Sequence, residues 1–325
     1  MPSAILIEEL TKDYAVGFWR RRPYRALDRL SLSIEPGEVF GFLGPNGAGK
    51  TTTLKLLMQL IFPTSGRAEI LGRPVGDVAV RRRIGYLPEN PYFYDYLTAE
   101  ELLTYFAQLL DVPAAERRRR VGSLLDRVGI GRERRFQLRK FSKGMIQRVG
   151  IAQALLNEPE VVFLDEPMSG LDPLGRKDVR SLILELRDRG RTVFFSSHIL
   201  ADAEALCSRV AVVAGGRLAA TGRLGDLAEF EIRGWELVVH DVSPVTLEKI
   251  RPATTRITEI GPGRYTLELP LTQPPEKFLP EIARSGAGII SLNPIRETLE
   301  DFFMQRVAEA GAARAEQGEE RHAAH

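Results

Sequence analysis

The chain has 325 residues, 44% of them hydrophobic and 27% charged, with a formal net charge of +2. That length gives room for two or three domains with buried cores, and the near-balance of charge excludes a strong global field that recruits nucleic acid. A single cysteine, Cys207, excludes an intramolecular disulfide, fits a reducing compartment and leaves no readable zinc cluster.

The first residues, MPSAILIEELTKDY, carry two glutamates after a short apolar run. They lack the basic start and long apolar core of a signal peptide. No apolar run approaches the ~20 residues that span a bilayer, so any spanning part is expected on another chain. Within residues 1–40, AILIEELTKDY and LDRLSLSIEPGE alternate in part and read as short strands. VFGFLG reads as a buried strand entering GPNGAGKTT, and TTTLKLLMQLI then has helical periodicity. IGYLP (84–88) is a further strand. Residues 98–140 are expected to be mainly helical. TAEELLTYFAQLL opens on a threonine followed by glutamates, and ERRRRVGSLLDRVGI forms a second helix whose RRRR (117–120) reads as a polar face. A helix from Ser142, the strand VVFLDEP, a helix near 173–189, the strand RTVFFSSH, a helix near 199–207 and the strand VAVVAGGRLAATG follow.

Strands alternating with helices predict an α/β fold with a mainly parallel, doubly wound sheet. The helical block interrupts that alternation and reads as an inserted subdomain, about 90–157, within a domain covering 1–230. Composition shifts near residue 230. The stretches WELVVH, TLEKI, TRITEI, RYTLELP, EKFLPEIARSG and GIISLNP predict a β-α-β-β-α-β order, followed by a last helix in ETLEDFFMQRVAEA. That is a small ferredoxin-like α+β accessory domain over 231–310, with 311–325 as a frayed or disordered tail.

Gly44, Pro45, Asn46, Gly47, Ala48, Gly49, Lys50 and Thr51 match GxxxxGK[ST] between a predicted strand and a predicted helix, with Thr52 following. Glycines let the backbone curl so that successive N–H groups converge on phosphate oxygens, and the helix adds the positive end of its dipole. Lys50 is expected to reach the β/γ-phosphates and the Thr51 hydroxyl to bind Mg²⁺. The loop alone indicates an NTPase or kinase of the P-loop class. VVFLDEP ends an apolar strand on two acids, where unpaired charge is costly. Mg²⁺ and its waters would explain Asp165, and Glu166 is placed to polarise a water aimed at the γ-phosphorus. The plainer reading is an acid pair at a loop mouth. His198 ends a strand expected beside the DEP strand, with its end at the ligand crevice.

Taken together, these residues resemble the ATP-binding subunits of ABC transporters, over about residues 4–225. GPNGAGKTT is similar to the Walker A loop, VVFLDEP to the Walker B strand, FSKGMIQR to the signature motif, SGLD (169–172) to the D-loop and SSH (196–198) to the switch histidine. IGYLPEN lies where the Q-loop belongs, and Tyr14 is placed like the aromatic residue that stacks on adenine. The resemblance implies a P-loop NTPase cassette with a mainly parallel core sheet, an antiparallel β subdomain and an inserted helical subdomain. It implies ATP and Mg²⁺ as cofactors. It also implies a head-to-tail cassette dimer, homo- or heterodimeric, in which each nucleotide lies between the Walker A loop of one chain and the signature of the other. Ser142 and the Gly144 N–H would then start a helix pointing at the partner's γ-phosphate; as an N-cap, Ser142 serves an ordinary helix equally well.

The signature departs from its usual form at Lys143 and Met145, and Glu89 replaces the Q-loop glutamine, where a carboxylate would still bind Mg²⁺ or orient water. The single cassette, YLPEN and the C-terminal extension resemble ABC-2 exporter subunits, which act through a separate membrane permease and sit peripherally on the cytoplasmic face of the plasma membrane. The surface docking that permease would include Tyr92, Phe93, Tyr94 and Tyr96; the alternative is that some of these simply pack the helical subdomain. GFWRRRPYR (17–25) reads as an insertion that touches anionic headgroups or is a solvated hairpin. The accessory domain lacks the clustered aromatics of RNA-binding modules, which favours dimer contact or regulation. The competing class is a soluble ABC-type ATPase acting on nucleic acid or ribosomes; no nucleic-acid partner is expected.

Overall fold

The computed structural model describes residues 3–17, 22–227 and 232–296. Trp19, the boundary near residue 230, the helix expected in ETLEDFFMQRVAEA and the tail 311–325 lie outside the described residues. Two units emerge, one ending at residue 227 and one beginning at 232.

In the first unit, β1 (Ile5–Val16) and β2 (Arg22–Ile34) form a long antiparallel hairpin. β3 (Val39–Leu43) leads into α1 (Lys50–Leu57), and β4 (Ser65–Ile70) with β5 (Arg73–Pro74) completes an antiparallel sheet of order β2-β1-β4-β5. After the short α2 (Val78–Arg81) and β6 (Ile84–Leu87) come α3 (Ala99–Leu109), α4 (Ala114–Arg127) and α5 (Lys143–Ala154). The chain continues as β7 (Val161–Asp165), α6 (Pro173–Asp188), β8 (Thr192–Ser197), α7 (Leu200–Glu204), β9 (Arg209–Ala214), β10 (Arg217–Arg223) and α8 (Leu224–Leu227). The second sheet has the order β10-β9-β3-β8-β7-β6 and is parallel except for β10.

Why the central strands read as continuous apolar runs is clear from their two buried faces. On β3, Val39 and Leu43 join the cluster that includes Leu102, Leu103 and Leu125 of α3 and α4. Phe40 and Phe42, on the opposite face, join Ile5 and Leu54 of the antiparallel layer and α1. Phe194 on β8 sits among Phe40, Phe42 and Phe163, with ring centroids 5.9, 5.2 and 5.8 Å away. Burying each such ring stabilises the fold by about 1.5–3 kcal/mol.

Local signals start the helices. The Thr98 hydroxyl accepts from the Glu101 N–H at 3.2 Å, while a Glu101 carboxylate oxygen accepts from the Thr98 N–H at 2.8 Å. This capping box, with the Thr98 N–H first among its causes, holds the Glu101 carboxyl below the usual range.

The early strands are longer than the short ones expected, because register shifts along β1 and β2 absorb the irregular alternation. VAVVAGGRLAATG is two strands rather than one. Gly215 and Gly216, with φ of 57° and 85°, reverse the chain there. α1 ends at Leu57 rather than near Ile61, and Gln59 takes a φ of 53° just beyond.

The second unit comprises β11 (Ile232–His240), α9 (Pro244–Ile250), β12 (Arg256–Gly261), β13 (Arg264–Pro270), α10 (Leu279–Arg284) and β14 (Gly288–Arg296). Its sheet is antiparallel throughout, in the order β12-β13-β11-β14. Inward residues Leu237, Val239, Leu267 and Leu269 pack with Ile250 and Ile282 from the helices. The order is that of a split βαβ arrangement.

Candidate functional site

The site forms at the C-terminal ends of the parallel strands, where β3, β7 and β8 release Gly44, Glu166 and His198. Between β3 and α1 the loop makes close turns that exclude side chains. Gly49 has a φ of 108°, and a Cβ there would lie 2.9 Å from the Ala26 carbonyl oxygen. A Cβ on Gly44 would lie 2.4 Å from the Val213 carbonyl oxygen. Because Gly49 occupies the N-cap, no side chain caps α1, and the helix start keeps free N–H groups for an anion.

Lys50 is folded over this loop. Its Nζ donates to the Gly44 carbonyl at 2.6 Å and the Pro45 carbonyl at 3.3 Å. It also stands 3.3 Å from Glu166 Oε1, an ion pair without hydrogen-bond geometry. The other carboxylate oxygen, Oε2, lies 2.9 Å from His198 Nδ1. Glu166 is therefore held between a lysine and a histidine. Its backbone is left-handed, with a φ of 49°, which costs about 1–2 kcal/mol in a non-glycine residue. Bonds on both sides hold it there: the Glu166 N–H donates to Ser196 Oγ at 3.0 Å, and the Glu166 carbonyl accepts from the Ser169 N–H at 3.0 Å.

Asp165 is fully buried. Its Oδ1 accepts from the Ser196 hydroxyl at 2.6 Å, the Thr51 side chain also acts on the carboxylate, and Oδ2 has no hydrogen-bond partner among the described residues. Burial pushes the Asp165 carboxyl above the ordinary carboxylate range, against the lowering by Ser196 and Thr51, while Glu89 and Glu166 add like-charge repulsion. Tyr86 nearby is pushed up to about 12 by burial and by the charges of Asp165 and Glu89.

These residues face a cleft of about 450 Å³. Tyr14 and Tyr24, a cross-strand pair of the β1–β2 hairpin, form one wall. Pro45, Asn46, Gly47, Gly49, Lys50, Thr51 and Thr52 form the floor, and Glu89, Glu166, Ser169 and His198 close the far side. Lys12 Nζ lies 5.2 Å from the Tyr14 ring centroid and covers part of one ring face. Gly44, Ala48 and Asp165 sit behind the surface rather than on it.

Ser142 and Gly144 do not line this cleft. Ser142 Oγ caps α5, accepting from the Met145 N–H at 3.3 Å. Gly144 packs on Leu171, where an added Cβ would approach Cδ2 to 3.1 Å. The Lys143 stem lies over Gly170, whose Cβ would stand 2.9 Å from Lys143 Cδ. Of the aromatics after Glu89, Phe93 packs on the helical core, whereas Tyr92, Tyr94 and Tyr96 are exposed.

Ser169, Ser196 and Gln147 fall within SGLD, SSH and FSKGMIQR without a role of their own in the sequence reading, and Tyr24 falls in no motif. Ser196 lies beside His198 in SSH, but its inward direction depends on sheet register. Gln147, 1% exposed, points its amide at the carbonyls of Glu166 and Pro167, 3.5 and 3.4 Å away. FSKGMIQR includes that glutamine, but its contact with the β7 end depends on how α5 packs against the loop after β7.

A family profile described as ABC transporter matches residues 27–169. The uncharacterized ABC transporter ATP-binding protein sll0415 of Synechocystis sp. is 44% identical over 305 residues, covering 93% of this chain and 84% of its own. The bacitracin transport ATP-binding protein BcrA of Enterococcus faecalis is 32% identical, covering 96% and 99%. Among solved structures, the ATP-binding cassette MJ0796, a dimer in a post-hydrolysis state bound to ADP and Pi, superposes with a TM-score of 0.63 at 27% identity, over 68% of this chain and 98% of that one.

Proposed function

The chain belongs to the ABC transporter ATP-binding family, and from that premise we propose that it is the ATP-hydrolysing subunit of an ABC-2 type exporter. The name of the bacitracin relative favours transport over a soluble ATPase acting on nucleic acid or ribosomes. The observation that carries the reading is the position of Glu166, held by Lys50 and His198 at the mouth of the phosphate loop.

In this reading the loop N–H groups and α1 receive the phosphates, and Tyr14 stacks on the adenine. Lys50 exchanges Glu166 for phosphate oxygens. Glu166 then accepts a proton from the attacking water, with His198 fixing its carboxylate. The orphaned Asp165 Oδ2 fits a divalent cation, since a buried carboxylate oxygen without a donor is costly, and the Thr51 side chain acts on the same carboxylate. Thr51 and Asp165 would hold Mg²⁺, with Glu89 at the edge; the ion supplies positive charge to the phosphate oxygens.

Ser142 and Gly144 lie off the cleft, so a second cassette would bring that end of α5 to the γ-phosphate. The MJ0796 dimer supports this arrangement. Exposed Tyr92, Tyr94 and Tyr96 are the proposed contact with a membrane permease. No helix among the described residues is long and apolar enough to cross a membrane, which is compatible with a peripheral subunit on the cytoplasmic face. Residues 231–310 are read as an accessory domain for dimer contact or regulation.

The test is Glu166→Gln. It is expected to bind ATP, to form an ATP-dependent dimer by light scattering, and to release phosphate at least about 100-fold more slowly. A variant with full turnover and no dimer would refute the reading.

A further inference from the structure

A second cleft, of about 320 Å³, opens at the other end of the parallel sheet. The nucleotide cleft lies where the strands end; this one lies where they begin, with Pro159 just before β7 and Arg191 just before β8. Five- and six-residue strands put about 16–20 Å between the two. α4 forms one wall with Arg119, Arg120 and Arg127, and the end of α6 forms the other with Arg189 and Arg191. Buried Leu124, Leu155 and Leu186 lie beneath. The run at 117–120 is thus not simply a polar face, since Arg120 turns inward and Nη1 donates to the Leu156 carbonyl at 3.2 Å.

The charges here do not balance. Glu185 is shared by Arg127 at 3.0 Å and Arg189 at 2.6 Å, while Arg120 pairs with Glu116 at 2.9 Å and Glu158 at 3.4 Å. Arg119 and Arg191 form no salt bridge among the described residues. Glu160, on which Arg191 acts through space, is already gripped by Arg83 at 2.6 and 2.7 Å. Arg127 Nε is buried with no acceptor among the described residues. Like charges are gathered around a concavity that supplies too few anions for them, and a buried donor lacks a partner.

We propose that this pocket binds a small phosphorylated anion of nucleotide size. Guanidinium forks match phosphate geometry and stack on planar rings, and the leucines offer the body of such a ligand an apolar seat. Arg119 and Arg191, neither of them in a salt bridge among the described residues, take the phosphates.

Calorimetric titration of the full chain with ADP separates this site from the first cleft. Lys50→Ala weakens the main site and is expected to leave a residual ADP site for which inorganic pyrophosphate competes. Adding Arg119→Ala and Arg191→Ala should weaken that residual site about 100-fold, two charge-assisted contacts at about tenfold each. In the background with Lys50 intact, the same two substitutions should leave ADP affinity at the main cleft unchanged, which also reports folding. Because Arg119 is exposed, Arg119→Ala alone provides a milder arm, with about tenfold expected. No residual site in Lys50→Ala, or a residual site indifferent to both arginines, overturns the proposal.

Discussion

The Ser196 hydroxyl donates to Asp165 Oδ1 at 2.6 Å and accepts from the neighbouring Glu166 N–H at 3.0 Å. One buried side chain on β8 thereby fixes both acids at the end of β7. Ser196→Ala would leave a buried carboxylate oxygen and a buried N–H without this partner, costing about 2 kcal/mol. We expect denaturant unfolding to report that loss, together with weaker Mn²⁺ binding by paramagnetic resonance in the presence of ATP. Unchanged stability and Mn²⁺ affinity would remove Ser196 from this positioning role.

Asp165 is held above the ordinary carboxylate range by burial, so the sign of its pH effect follows directly. Without ligand, the native state binds a proton there more readily than the unfolded chain. Its stabilising contribution is complete below the unfolded value and is lost as pH rises through the raised native value. Asp165→Asn should therefore raise the thermal midpoint of the ligand-free chain at neutral pH and flatten this part of its pH dependence. The same change should abolish Mg²⁺-dependent hydrolysis. A lower midpoint at neutral pH would contradict the assignment of a destabilising buried charge.

Gly44 admits no side chain, because a Cβ would meet the Val213 carbonyl oxygen at 2.4 Å, a backbone atom that cannot swing aside. Gly44→Ala is expected to destabilise the chain by about 1–3 kcal/mol and to shift the loop, weakening ATP binding. Equilibrium dialysis with ATP alongside chemical denaturation measures both. Gly47 is the contrast: among the described residues nothing lies within 4 Å of its Cβ position, and only its φ of 80° disfavours alanine. Gly44 itself has no positive φ, so unchanged stability and ATP binding in Gly44→Ala would refute the Val213 contact as the constraint.

Much of the fold and of the site was legible in the residues because its signals are local. Apolar runs such as VFGFL and VVFLD become strands buried on both faces, and Thr98 with Glu101 starts its helix through bonds three residues apart. The glycine spacing of the phosphate loop is a backbone requirement, through close approach at Gly44 and Gly49 and through a positive φ at Gly47. Chain reversal at Gly215 and Gly216 was equally local, yet apolar residues on both sides concealed it within one apparent strand. The partners of Asp165 and Glu166 could not be read in the same way. Ser196 reaches them only because β7 and β8 pair in parallel with Asp165 opposite Ser196, and a one-residue slip would turn that hydroxyl to the other face. The same holds for the arginines, whose charges are ordinary along the chain and become unbalanced only when α4 and the end of α6 converge. Residue types limit which interactions are possible; which distant groups meet depends on strand register and helix packing, properties of the assembled chain.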